Sequence, residues 1–236
     1  MSSRVEKPKS KTEEIRNEIS IKYEIDGNEI KLTPKIVKDY IVGTGADITL
    51  QEFKLFAELC KVHKLNPYLK EVYCIKYGNE PATIVVGKDA VLKRAIKNSN
   101  FDGIESGIIV LNESNEVIER NGTFKLVDEE LVGGWAKVYR KDWVHPTYCS
   151  VSFDEVAGRK KDGTLNSNWA NKGATMVEKV AKVRALRESF VDDLQGMYEV
   201  EEFAPEITSY DEVKPSVQEV PEADYIEAEE VNLNEL

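Results

Sequence analysis

The sequence predicts an α+β protein: antiparallel β-sheet and hairpins packed on a long central helix, with a helical N-terminal lobe and a disordered acidic C-terminal tail. Three observations predict this class. Strand-like runs follow one another through short polar turns, most helical patterns stand outside these runs, and the longest helical pattern comes last. Parallel sheets need strands that alternate with helices, so this order favours antiparallel pairing. A hydrophobic content of 41% over 236 residues is typical of a folded core.

The first predicted elements are a hairpin and a short helix. Residues 1–20 are polar and lack a sustained apolar period, which predicts a flexible N-terminal arm. Residues 22–32 read as two strands around Asp26-Gly27, a dipeptide that is typical of tight hairpin turns. Thr33-Pro34 has the form of a helix N-cap followed by proline, so we expect a helix over residues 34–42.

A second helix, a strand pair and a third helix follow. Thr49 and Glu52 have the spacing of a capping box and precede apolar residues at helical intervals, which predicts a helix there. The runs 71–77 and 82–86 are rich in β-formers and flank a turn, so they predict a hairpin. Residues 88–98 again show a helical pattern.

The remaining core is predicted to be a set of antiparallel strands and one long helix. Residues 101–111 and 116–127 alternate like paired strands, and residues 134–140 and 146–153 form a second such pair. Residues 172–190 carry apolar side chains at intervals of four and three, which predicts the longest helix.

The net charge of −11 is unevenly distributed. Residues 205–236 hold ten acids and one base, which gives −9, and Glu199, Glu201 and Glu202 add three acids, so residues 1–198 sum to +1. Three prolines and few large apolar side chains predict that residues 204–236 are a disordered acidic tail. A single core domain is therefore expected over residues 21–203.

One segment is strongly basic. Residues 158–187 contain eight Lys or Arg and two acids, a local charge of +6. A local excess of this kind indicates a polyanionic partner, although solvated bases on an ordinary helix remain an alternative. Counting 100° per residue places Lys172, Lys179 and Lys182 on one flank of the predicted helix, beside its apolar stripe.

Patterns for cofactors, metals and catalysis are weak. Two histidines, His63 and His145, and three scattered cysteines do not have the spacing of a metal site or a disulfide framework. Residues 158–164 resemble a phosphate-binding loop only superficially, because the lysine that must follow the second glycine is missing. We therefore expect no catalytic residues, no metal and no cofactor.

Features of membrane or exported proteins are also missing from the sequence. No apolar run approaches the roughly 20 residues of a spanning helix, and the N-terminus has no apolar core for a signal peptide. These features predict a cytoplasmic protein without membrane contact.

A series of short motifs follows one another along residues 45–203. The motifs are Asn66-Pro67, Val86-Gly-Lys-Asp89, Phe101-Asp-Gly103, Trp135-Ala-Lys-Val-Tyr-Arg-Lys-Asp-Trp-Val-His-Pro146, Phe153-Asp-Glu-Val, Asn168-Trp169, Met176-Val-Glu-Lys-Val-Ala181, Ala185-Leu-Arg187 and Gly196-Met-Tyr198. Their order resembles that of the RecT/Bet (Redβ-like) family of phage single-strand annealing proteins. Val191 follows the helix where the family commonly has proline, so the helix exit is expected to differ.

The resemblance implies a protein that binds single-stranded DNA and anneals complementary strands into a duplex without ATP. It also implies a homo-oligomer, in rings or helical filaments, and partners that include a phage exonuclease and the host single-strand binding protein. Two alternatives stay open at this point: a metal-dependent nuclease acting on the same DNA, and a structural adaptor whose acidic tail recruits a partner.

The expected DNA contacts are basic side chains that neutralise phosphate and aromatic rings that stack on bases. Trp169 has an equally plausible role as an apolar anchor at the start of the helix. The primary candidates are Lys172, Lys179, Lys182, Arg184, Arg187, Arg159, Lys160 and Lys161, and the secondary ones are Arg140, Lys141, Lys88, Lys93, Arg94, Trp143 and Trp169.

Overall fold

The computed structural model describes residues 19–42, 46–76, 80–160 and 162–198. Within these residues all strands pair antiparallel and helices accompany them, which confirms the α+β class. The acidic tail predicted over 204–236 and all but the last two residues of the predicted arm lie outside the described residues. Among the described helices, none is both long and apolar enough to cross a membrane.

The elements follow the predicted order. The strands are β1 (Ile21–Ile25), β2 (Asn28–Leu32), β3 (Val72–Ile75), β4 (Thr83–Val86), β5 (Phe101–Leu111), β6 (Val117–Asn121), β7 (Glu130–Arg140) and β8 (Thr147–Ser152). The helices are α1 (Pro34–Ile36), α2 (Leu50–His63), α3 (Lys88–Lys97), α4 (Phe153–Val156), α5 (Ser167–Ser189) and α6 (Val191–Leu194).

The N-terminal hairpin and the helix starts form as local sequence rules predict. Asp26 and Gly27 both have positive φ, at 48° and 83°, and connect β1 to β2. Thr33 caps α1 by accepting a hydrogen bond from Ile36 N at 3.2 Å. The predicted single helix over 34–42 differs in its second half, because Val37–Ile41 continues as a π-helix.

The largest sheet has the strand order β6-β5-β7-β8. β6 ends at Asn121, six residues before the predicted end, and β7 begins at Glu130, four residues before the predicted start. A bidentate pair explains the early end of β6. Arg120 pairs with Glu129, which is only 6% exposed and also accepts from Leu126 N, so the intervening chain forms a loop anchored at Glu129.

Helix α5 lies directly against this sheet. A Cβ added at Gly134 of β7 would meet Val177 O of α5 at 2.6 Å, so glycine permits the close approach of helix and strand. Asn166 caps the helix by accepting from Trp169 N at 3.1 Å. The helix therefore starts at Ser167, five residues before the predicted start.

Helix α5 also contacts α3 and α6, so it joins the sheet to the N-terminal half of the chain. The ring of Phe190, which follows α5, lies 6.1 Å from the ring of Phe101 at the start of β5. Helix α5 stops at Ser189 because Phe190 leaves helical geometry, with φ −130° and ψ 55°, and Val191 begins α6. Because the sheet, α3 and α6 all pack on α5, many of its side chains are buried.

Candidate nucleic-acid interface

The helical phase that was predicted to place Lys172, Lys179 and Lys182 on one flank of α5 is interrupted at Lys172. Lys172 has φ −136° and ψ 33°, which are not helical values, and they kink α5 at this residue. Counting 100° per residue across the kink is therefore not valid. The exposed Lys172 belongs to the first turns of α5, where the next residue, Gly173, lies against the ring of Phe153 of α4.

Lys182 lies on the flank of α5 that faces β5. Its Nζ pairs with Glu178 Oε1 at 2.5 Å, and the same oxygen accepts a hydrogen bond from Ser106 Oγ of β5 at 2.5 Å. Glu178 is only 8% exposed. A buried carboxylate is costly without its cation, so Lys182 has a structural task. Lys179, one turn from Val183, is half-buried.

Arg184 reaches the opposite flank. Residues two positions apart on a helix differ by about 200°. The Nη1 atom of Arg184 lies 3.6 Å from Glu155 Oε1 of α4, which follows β8 at the edge of the sheet. The Glu155 side chain is 68% exposed, so this is a surface ion pair. Such pairs contribute about 0–1 kcal/mol, and a phosphate can replace the carboxylate at little cost.

The loop after α4 brings further basic residues to the same side. Arg159 Nη2 donates a hydrogen bond to Asp154 Oδ1 of α4 at 3.1 Å, and the Asp154 side chain is 87% exposed. Lys160 is exposed, and its backbone N donates to Thr164 O at 2.7 Å, which closes the loop. Lys161, also predicted to contact DNA, lies outside the described residues.

Arg187 connects this flank to the start of α3. Its guanidinium carbon lies 4.9 Å from the ring centroid of Tyr198. Tyr198 O accepts a hydrogen bond from Val86 N at 2.9 Å. Two residues after Val86, the exposed Lys88 stands at the N-terminus of α3. Tyr198 thus contacts both Arg187 of α5 and Val86, which precedes α3.

The charges near the Cys149 thiol on β8 have opposing effects on its pKa. Burial raises the pKa of this thiol, the charge of Glu188 raises it further, and the charges of Arg184 and Arg187 both oppose the increase. Burial also raises the pKa of Cys60 to about 12, so the Cys60 thiol is neutral at pH 7.

Six bases lie in the loop after α4, on α5 and at the start of α3. We call this set the cationic surface. Three of them come from α5, two from the loop after α4 and one from α3, and three of the six, Lys88, Arg159 and Arg184, pair with exposed carboxylates. The six bases are Lys88, Arg159, Lys160, Lys172, Arg184 and Arg187.

The secondary candidates in the β7–β8 turn are not part of the cationic surface, and both of its bases are hydrogen-bonded to other groups of the protein. Arg140 pairs with both carboxylate oxygens of Asp142, at 2.9 and 2.7 Å, and also donates to Ser189 O at the end of α5. Its guanidinium carbon lies 4.5 Å from the Trp143 ring centroid, and the Trp143 side chain is exposed. Lys141 Nζ donates to Ser99 O at 3.1 Å.

The secondary candidates on α3 other than Lys88 support neighbouring loops. Lys93 Nζ donates to Glu71 Oε1 at 2.7 Å, and the side chain of Glu71 is 12% exposed. Arg94 Nη1 donates to His63 O at 3.5 Å. The hydrogen bond to Glu71 raises the pKa of Lys93, and the positive charge of Arg94 together with burial lowers the pKa of His63.

Trp169 is an anchor of the fold and not an available stacking platform. Its side chain is 3% exposed, and its ring meets the Phe153 ring edge-on at 5.5 Å. Gly158 lies so close that an added Cβ would be 2.9 Å from the indole. A base cannot reach a ring enclosed in this way, so the anchor role, left open by the sequence, is the one the structure supports.

Sequence reasoning missed Tyr198 as part of the site. Its signal was present in the Gly196-Met-Tyr198 motif, but the motif does not show that the ring lies on Arg187. Sequence reasoning also did not predict that Lys137 lies 5.0 Å from the ring centroid of Trp135 and 5.5 Å from that of Tyr148. This cluster is not part of the cationic surface, because Trp135 and Lys137 alternate with Gly134, which faces α5.

Two further observations describe the chemistry of the described residues. Among them, no group of three or more His, Cys, Asp or Glu side chains is arranged to hold a metal ion. The three cysteines form no disulfide with one another, and Cys60 and Cys74 are buried. The arrangement of the cationic surface is suited to binding a phosphate backbone through exposed guanidinium and ammonium groups.

Comparisons with known proteins identify the family of this chain. The family model of the RecT family matches residues 27–218. One relative is an uncharacterised protein of Ureaplasma parvum serovar 3, which is 26% identical over 226 residues, covering 93% of this chain and 92% of that protein. The residues matched by the family model include all six bases of the cationic surface.

Proposed function

This chain belongs to the RecT family, and from that premise we propose that it binds single-stranded DNA on the cationic surface and anneals complementary strands. RecT-family proteins are annealing proteins of phage recombination. The observation that carries the proposal is the cationic surface itself, in which Arg159 and Arg184 pair with exposed carboxylates that can be exchanged for phosphate.

Annealing needs no catalytic group, which fits the chemistry of this surface. Base pairing is favourable by itself, so the protein has to overcome the repulsion between two phosphate backbones and keep the base edges accessible. Arg and Lys side chains that contact only phosphate do this for any sequence. We therefore propose an ATP-independent reaction without a metal or cofactor, in the bacterial cytoplasm.

The partners implied by the family resemblance are part of the same proposal. We propose a homo-oligomer in the form of a ring or a helical filament, because many neighbouring subunits would hold a long strand extended. A phage exonuclease would supply the single strand, and the host single-strand binding protein would be displaced from it or contacted during loading.

The test uses two exposed lysines of the cationic surface in the full-length chain. Lys160→Glu combined with Lys172→Glu should weaken binding of a fluorescent oligo-dT of 30 nucleotides at least tenfold in fluorescence anisotropy. The rate at which two complementary oligonucleotides anneal can be monitored by fluorescence quenching in EDTA without ATP. This rate should fall in the same double variant. Circular dichroism checks that the fold is intact.

The matched control changes the net charge by the same amount but at residues outside the cationic surface. Lys35→Glu combined with Lys54→Glu alters two exposed lysines on α1 and α2 and should leave DNA affinity within about twofold. Equal losses in both double variants would show a general charge effect and place the binding site elsewhere. Wild-type protein that does not anneal in EDTA would refute the function itself.

The length of the DNA product distinguishes a nuclease from an annealing protein. End-labelled single strands incubated with the protein and Mg²⁺ or Mn²⁺ should keep their length on a denaturing gel. Shortened strands, abolished by EDTA, would favour the enzyme over the annealing protein.

A further inference from the structure

The acidic C-terminal segment begins beside the cationic surface. Tyr198 is the last described residue, and its ring lies on Arg187 while its carbonyl accepts from Val86 N. Glu199, Glu201 and Glu202 follow it immediately in sequence. The acidic segment 199–236 is therefore tethered to the site where the chain presents its exposed bases.

The charges of the two parts are complementary. The cationic surface contributes six positive charges, and residues 205–236 alone carry ten acids against one base. The bases of the surface already accept carboxylates as partners, since Arg159 pairs with Asp154 and Arg184 with Glu155. A run of Asp and Glu side chains offers the same chemical group in many copies.

The tether also makes the contact easy to form. An extended chain spans roughly 3.3 Å per residue, so about ten residues beyond Tyr198 can reach 30 Å. A segment held by such a linker has an effective concentration on the order of 1 mM at its own surface. Even a weak ionic contact is then occupied for much of the time at low salt.

We propose that residues 199–236 occupy the cationic surface of their own chain when DNA is absent and compete with single-stranded DNA for it. The inference rests on the proposed function, because competition matters only if DNA binds there. DNA phosphates displace the segment when their contacts outnumber those of the carboxylates. The segment thereby selects long single strands over short or scattered phosphate ligands.

The first test needs no DNA. A carbodiimide joins a carboxylate to a lysine amine that touches it, and mass spectrometry identifies the pairs. In the full-length protein at low salt, Asp and Glu residues of 205–236 should cross-link to Lys160 and Lys172, and these links should disappear at 0.5 M NaCl. The proposal would be overturned if neither Lys160 nor Lys172 forms such cross-links. It would also be overturned if the exposed Lys31 and Lys54 form them equally often.

The second test measures competition in the full-length chain. Replacing the ten Asp and Glu residues of 205–236 by Asn and Gln should tighten oligo-dT binding about tenfold at 50 mM salt, with the difference falling below about twofold at 300 mM. In a control chain, the 32 residues of 205–236 are kept but their order is scrambled, so the charge of the segment is unchanged. This control should bind oligo-dT as tightly as wild type. Equal affinity of the neutralised and wild-type chains would refute the competition.

The two tests separate this inference from the proposed function. Cross-links to Lys160 and Lys172 in a protein that binds no DNA would support the contact and refute the function. DNA binding that does not change with the charge of the segment would support the function and refute the inference.

Discussion

Single ion pairs decide which bases of this chain are available to a ligand. Lys182 and Arg184 are two residues apart in sequence and carry the same charge. The partner of Lys182 is Glu178, whose side chain is 11% exposed, whereas the partner of Arg184 is Glu155, whose side chain is 68% exposed. Removing the cation from a buried carboxylate costs about 3–5 kcal/mol, and exchanging an exposed partner costs little.

Reversing the charge at Lys182 should therefore damage the fold. Lys182→Glu removes the cation and places a second carboxylate beside Glu178, so we expect a loss of about 3–5 kcal/mol or more in the free energy of unfolding. Thermal melting followed by circular dichroism should show a fall of several degrees in the midpoint. Loss of DNA binding in this variant would then reflect unfolding and not a lost phosphate contact.

A double variant checks the cause. Lys182→Glu with Glu178→Gln removes the repulsion and should recover much of the lost stability, because only one carboxylate remains. A single Lys182→Glu variant that melts like wild type would show that the pair does not contribute to stability.

Between elements, Glu52 links the start of α2 to the β3–β4 hairpin. Its carboxylate completes the capping box by accepting from Thr49 N at 2.7 Å, accepts from Lys76 Nζ with both oxygens at 2.8 Å, and accepts from Ala82 N at 2.9 Å. Burial alone would raise the pKa of Glu52, but the hydrogen bonds from Lys76, Thr49 and Ala82 lower it to about 2.

This linkage should make stability dependent on acid. Because the pKa of Glu52 is lower in the folded chain, its stabilising contribution is complete above the ordinary value near 4.5 and disappears as the pH falls towards 2. Glu52→Gln should cost about 3 kcal/mol at pH 7, and the difference from wild type should shrink between pH 4.5 and 2 in urea unfolding. Glu58→Gln, on the exposed face of α2, should change stability by less than about 0.5 kcal/mol. A constant difference between Glu52→Gln and wild type across this range would contradict the assignment.

At the scale of the whole molecule, charge is separated along the chain. Residues 1–198 are nearly neutral and carry the cationic surface, while the remaining residues carry the net negative charge. A chain with a net charge of −11 can therefore bind a polyanion, provided that the acidic segment competes less well than DNA.

The salt dependence of DNA binding follows from this arrangement. If five of the six bases contact phosphate, the logarithm of the association constant should fall with the logarithm of salt concentration with a slope of about −3.5. The tail-neutralised chain is the proper sample, because its acidic segment does not take part. Adding Lys160→Glu and Lys172→Glu should make the slope shallower by about 1.4. A slope near zero in the tail-neutralised chain would refute phosphate contact as the basis of binding.

Local sequence rules predicted the elements whose causes are local. The Asp26-Gly27 turn, the Thr33 cap and the Thr49–Glu52 capping box each depend on residues within a few positions of one another. The predicted end of β6 was wrong by six residues. The strand ends where it does because Arg120 pairs with Glu129, which lies after the loop and nine residues along the chain. The kink at Lys172 was not predicted, since residues 172–190 show an uninterrupted helical pattern.

The sequence by itself determined the fold class, the separation of charge and the resemblance to the family, because these depend on order and composition. Only the tertiary structure decided which bases form one surface. Lys182 and Arg184 look alike in the sequence, and they differ because β5 buries the partner of one while α4 exposes the partner of the other. Burial is set by chain segments distant in sequence, so helical phase alone cannot report it.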